Sequence, residues 1–128
     1  MLRFTVRVTS SVCVAMTAFD IVGHPAVVTG ASMSPTLEGS DSRWWHRDLV
    51  WLSPWGIRSP NIGDVLTFIS PREPDMMHIK RVTGLEGDLV IDNPVNANDS
   101  NIYGPVSRGL VKNRATHIIW PPSRWRRL

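Results

Sequence analysis

Hydrophobic and polar positions divide this chain into two regimes. The segment "MLRFTVRVTSSVCVAMTAFDIV" carries Arg3 and Arg7, then runs uncharged from Val8 to Phe19 until Asp20 interrupts it. That run is 12 residues, short of the roughly 20 that a spanning helix needs. Continuing to Val28 supplies the length but brings in Asp20, His24 and Pro25. The reading is an N-terminal membrane-anchor helix over 1–28, with a cleaved signal peptide and an interfacial amphipathic helix as alternatives. Two upstream arginines would retain the N-terminus on one side and place the remaining chain across the membrane.

From residue 29 the apolar runs become short and end at Pro or Gly. "DLVWLSPWG" (48–56), "DVLTFISP" (64–71), "GDLVID" (87–92) and "ATHIIWPP" (115–122) predict strands. "MMHIKRVTGLEGD" (76–88) predicts a strand followed by a Gly-bounded turn, and "NPVNANDSN" (93–101) is loop chemistry. Five or so short strands at this spacing give a mainly β fold over 29–128, a small β-barrel or folded sheet behind the N-terminal helix.

The 128 residues suit one small domain with a short appendage. The 10 prolines and 9 glycines agree with many turns and short strands. Net charge is +3, and Arg124, Arg126 and Arg127 crowd the last five residues, where they read as a solvated tail. Because these arginines do not interleave with exposed aromatics, no nucleic-acid partner is expected despite six tryptophans. The single cysteine, Cys13, rules out an intramolecular disulfide and a cysteine-based zinc site. The four histidines show no metal-ligand spacing, and the serine chemistry considered below needs neither a metal nor an organic cofactor.

Candidate chemistry begins in "TGASMSPTLEG" (29–39), where a serine stands beside a methionine. The stretch is not a Gly-x-Ser-x-Gly elbow, and the chain has no Walker A loop, dinucleotide fingerprint or His-Glu-x-x-His. A lysine can activate a serine if its amine is neutral, which burial among apolar groups favours. Of the two lysines, Lys80 stands in apolar "MMHIKRV", whereas Lys112 lies in the more polar "GLVKNR". Lys80 is the better base candidate, against the plainer reading of a solvated strand-edge charge. Strand alternation puts His78, Lys80 and Val82 on one face, with Ile79 and Arg81 on the other. His78 reads as a packed histidine, or as a second base beside Lys80.

These boxes resemble a known family. "GASMSPTLEG" is similar to the nucleophile box of type I signal peptidases, "IKRVTGLEGD" (79–88) to their lysine box and "IGDVLTF" (62–68) to their Gly-Asp strand. "DNPVNANDSN" (92–101) resembles the loop after the lysine box. "YGPVSRGLV" and "RATHIIWPPSRW" narrow the likeness to the mitochondrial inner membrane protease branch, in its subunit 2 form. The resemblance implies Ser32 as nucleophile and Lys80 as general base. It further implies an oxyanion hole using the Ser32 backbone N–H, a site wall at Met33, and structural support from Pro35, Asp88, Asp99 and Ser100. It also implies presequence-bearing protein substrates cut after a small residue, contact with inner membrane lipid, and a heterodimer with the other catalytic subunit of that protease. The catalytic domain would face the intermembrane space.

Two positions depart from the family pattern. Ala97 stands where a lysine-orienting serine is expected, and Ile91 where the glycine of Gly-Asp-Asn is expected. A stretch found in relatives is missing near 88–92. A shortened, inactive member acting through its partner subunit and a bacterial-type signal peptidase therefore stand as the alternatives.

Overall fold

The computed structural model describes residues 2–71, 73–85, 89–92 and 105–128. Helix α1 spans Leu2–Val22, 21 residues, or roughly 30 Å at the α-helical rise. Its window Phe4–Val22 has mean hydropathy 1.4 and is the one helix among the described residues long and apolar enough to cross a membrane. Phe4, Val8, Val12, Met16 and Phe19 are all exposed, so no part of the protein covers them. The hydroxyls of Thr9, Ser11 and Thr17 each donate to the carbonyl four residues back, at 2.9 Å. Those bonds leave the helix without an unpaired hydroxyl at these positions, as a lipid-facing segment requires.

The chain then enters one antiparallel sheet of eight strands. These are β1 (His24–Val27), β2 (Leu49–Ser53), β3 (Val65–Ile69), β4 (Met77–Gly84), β5 (Leu89–Asp92), β6 (Pro105–Val106), β7 (Val111–Trp120) and β8 (Arg126–Arg127). Their spatial order is β1-β2-β7-β3-β4-β5-β6, with β8 on the side of β7. The sheet does not close among the described residues, so the fold is the folded sheet rather than a barrel. The strand begins at His24, inside the segment read as anchor, and the helix ends at Val22. Pro25 fits there because β1 is an edge strand, where a missing N–H leaves no interior ladder bond unmade.

Register shifts in the β2–β7, β3–β7 and β4–β5 pairs bend the sheet. Bending gives two apolar clusters. The first joins Val28, Met33, Leu37, Val50, Leu52, Val65, Ala115 and Ile118; the second joins Leu66, Phe68, Val82, Val106 and Val111. Strand β3 divides its residues between them, Val65 in one and Leu66 and Phe68 in the other. That two-sided burial is why "VLTFI" is apolar without alternation. The long strand β7 starts at Val111, four residues before the expected 115; its first half carries the exposed Lys112 and the half-buried Asn113, which give no apolar run to read.

Candidate active site

The serine box forms a compact turn between β1 and β2. Gly30 takes φ +88° and donates its N–H to the Gly39 carbonyl at 3.0 Å, closing the mouth of the loop. Only a glycine fits at 39, since a Cβ there would stand 2.7 Å from the Gly30 carbonyl oxygen and 2.8 Å from that of Val28. Inside the loop, Ser34 N–H donates to Ala31 at 3.0 Å and Leu37 N–H to Met33 at 2.9 Å. Met33 (2% exposed) and Leu37 (0%) anchor the turn in the first apolar cluster. Met33 thus lies in the core beneath Ser32. Pro35 follows a cis peptide bond after Ser34.

Ser32 is half-buried and lines a cavity of about 160 Å³. Val28, Leu52 and Ile79 contribute apolar wall and Thr67 a polar position, and Met77 and His78 of β4 complete that side. Lys80, the residue after Ile79, is 6% exposed. It pairs across the sheet with Leu66, and by alternation it shares a face with Val82, both members of the second apolar cluster. Lys112, the other lysine, is exposed on β7. The structure therefore brings Ser32 to the strand that carries the buried lysine. The residues that meet Ser32 in the cavity are those just before Lys80; Lys80 itself is not in the cavity wall.

His78 is half-buried, with its ring 6.0 Å from that of Phe68. Burial pushes its pKa below the ordinary 6.5, and the positive charge of Lys80 pushes the same way, against a smaller opposing pull from Glu73. The imidazole is accordingly held toward its neutral form. His24, His46 and His117 are exposed. Among the described residues no group of His, Cys, Asp and Glu could hold a metal ion.

A second layer supports the turn, and sequence reasoning missed it. Asp48 is fully buried. Its backbone accepts from Val28 N–H and donates to the Glu38 carbonyl, both at 2.8 Å. Its carboxylate Oδ2 accepts from Glu38 N–H at 2.8 Å and from Arg124 Nη2 at 3.0 Å. Arg124 Nη2 also donates to the carbonyls of Pro35 and Thr36, each at 3.2 Å, and Arg126 Nη2 to Thr36 at 2.9 Å. The C-terminal arginines are therefore not a solvated tail: two of the three bind the serine turn. Burial raises the Asp48 carboxyl pKa, with the Glu38 N–H and Arg124 opposing.

Residues 1–93 match the family described as signal peptidase, peptidase S26. The chain belongs to that family. This signal peptidase is 39% identical to mitochondrial inner membrane protease subunit 2 of Danio rerio, over 92% of its own length and 75% of the relative's. It is 35% identical to subunit 2 of Saccharomyces cerevisiae over 97% of its length and 83% of the relative's. Subunit 1 of Homo sapiens is 32% identical over 87% and 78%. No solved structure matches the chain. Membership makes it a signal-peptidase-type serine protease. The zebrafish match spans 142 positions against the 128 residues of this signal peptidase, so that relative carries residues with no counterpart here. Of the expected support residues, Pro35 lies in the serine turn, whereas Asp88, Asp99 and Ser100 fall outside the described residues, as does Ala97.

Proposed function

We propose that this protease cleaves presequences with Ser32 as nucleophile and Lys80 as general base. The observation that carries the reading is the placement of Ser32 in a cavity walled by β4 directly before Lys80, the buried one of two lysines. Lys80 takes the hydroxyl proton as Ser32 Oγ attacks the scissile carbonyl; the C–N bond then breaks, Lys80 returns the proton to the departing amine of the mature protein, and an acyl-enzyme remains. Lys80 then activates water to release the presequence. The Ser32 backbone N–H holds the charge that develops on the carbonyl oxygen. Gly30, two residues before, has no side chain to add to that hole. The small volume of the cavity beside Ser32 favours cleavage after a small residue.

The relatives' names and helix α1 support a place in the mitochondrial inner membrane. Arg3 and Arg7 ahead of the apolar run favour a catalytic domain in the intermembrane space. Because the relatives are subunits by name, a second catalytic subunit is the expected partner. The test is cleavage of a presequence peptide by Ser32→Ala and Lys80→Met variants. Each is expected to lower kcat by at least about 10³-fold, as removal of a nucleophile or its base does in serine proteases.

A second reading assigns the base to His78, which lines the same cavity and is held neutral. His78→Gln separates the two. Under the lysine reading it keeps kcat within about 10-fold of wild type, the scale of a modulating neighbour rather than a general base.

A further inference from the structure

The turn that presents Ser32 is fastened from outside the cavity. Asp48 reaches it at both ends: its backbone holds Val28 before the turn and Glu38 after it. The middle is held by Arg124, which bridges the Asp48 carboxylate to the carbonyls of Pro35 and Thr36. Those carbonyls belong to the serine turn itself, three and four residues after Ser32. Asp48 Oδ1 is buried with no partner among the described residues. A carboxylate kept in an apolar setting with one oxygen unmatched is an expensive way to hold a loop. What the arrangement fixes is the backbone on both sides of Ser32.

We propose that Asp48 and Arg124, assisted by Arg126, are positioning residues that set the placement of Ser32 for attack. The inference rests on Ser32 being the nucleophile. Neither residue lines the cavity; the pair acts by fixing the backbone at 28, 35, 36 and 38, on both sides of the reacting hydroxyl. A nucleophile displaced by an ångström loses rate while the substrate's binding surface on β1, β2 and β4 stays intact.

The experiment uses the full chain in lipid nanodiscs with its partner subunit present. Rates of presequence-peptide cleavage are normalised to sites titrated by a serine-acylating probe, and melting is recorded for every variant. Arg124→Met is expected to lower kcat on the order of 10- to 100-fold, with KM within about 2-fold, the pattern of a misplaced catalytic group. Asp48→Asn should cost a similar factor, and the double variant no more than the worse single one, since the two residues act as a unit. Arg124→Lys keeps the ion pair and should recover part of the loss; it also decides the matter if Arg124→Met does not fold. Arg127→Met, at an exposed residue, should leave kcat unchanged. Wild-type kcat per titrated site in both Arg124 variants would overturn the proposal, even if melting fell, because that is the result of support without positioning. If Ser32→Ala retains activity, the nucleophile assignment fails instead, and the two failures are distinct.

Discussion

At the scale of single residues, His78 links the site to pH. Its folded pKa lies below the ordinary value, chiefly through burial and secondly through the charge of Lys80. The unfolded chain therefore takes up this proton more readily than the folded one. The contribution to stability is complete above about pH 6.5, the ordinary histidine value, and is lost as pH falls through the folded pKa. His78→Gln should flatten the melting temperature below about pH 6.5, where the wild type loses this contribution. A wild-type slope in that variant, followed by calorimetry, would contradict this account. The residue's double placement was legible in the sequence, because period-2 alternation puts it beside Lys80. Its presence in the cavity was not, since that depends on how β4 meets the serine turn.

At the scale of elements, the serine turn depends on backbone packing at Gly39. An added Cβ would press on the carbonyls of Gly30 and Val28, neither of which can swing aside as a side-chain tip could. Gly39→Ala should cost about 2 kcal/mol by denaturant unfolding, in the range of overpacked sites, and should slow acylation of Ser32 by the same probe. Strands β2 to β5 could be found from short apolar runs and the turn residues that end them. The edge strand β1 could not, because "HPAV" contains a proline and continues an apolar segment that reads as anchor. Strands β6 and β8 are two residues each, too short for any periodicity to register. The Asp48–Arg124 contact escaped for a different reason. Neither "HRDLVW" nor "PSRWRR" carries a local pattern, and the meaning of each residue lies in the other.

At the scale of the whole molecule, one apolar helix leads directly into the sheet that builds the site. Trp55 Nε1 donates to the Ile21 carbonyl near the end of α1, tying sheet and helix together. An arginine near the middle of the helix, as in Val14→Arg, should raise the insertion cost by about 2.5–3.5 kcal/mol. The expected result is a larger fraction released by alkaline extraction of mitochondrial membranes, with unchanged melting of the sheet. Full retention of the variant in the pellet would mean that α1 is not what holds the protein there. The sheet has its own long-range lock, an ion pair of Asp64 and Arg114 at 2.7 Å between the start of β3 and the middle of β7. Arg114→Met should lower stability by about 1–2 kcal/mol in urea, the cost of a partly buried charged hydrogen bond.

The arginine brace also sets an order of events during synthesis. Ser32 and its turn leave the ribosome long before Arg124 and Arg126, and the turn cannot be fastened until those last residues have docked beside β7. Contacts this distant in sequence form late, after nearer ones have organised the chain. Under the positioning proposal, the protease reaches its full rate only once its last strand has docked. Any product cut short before residue 124 would carry an intact serine box held by Asp48 alone, without the arginine half of its brace.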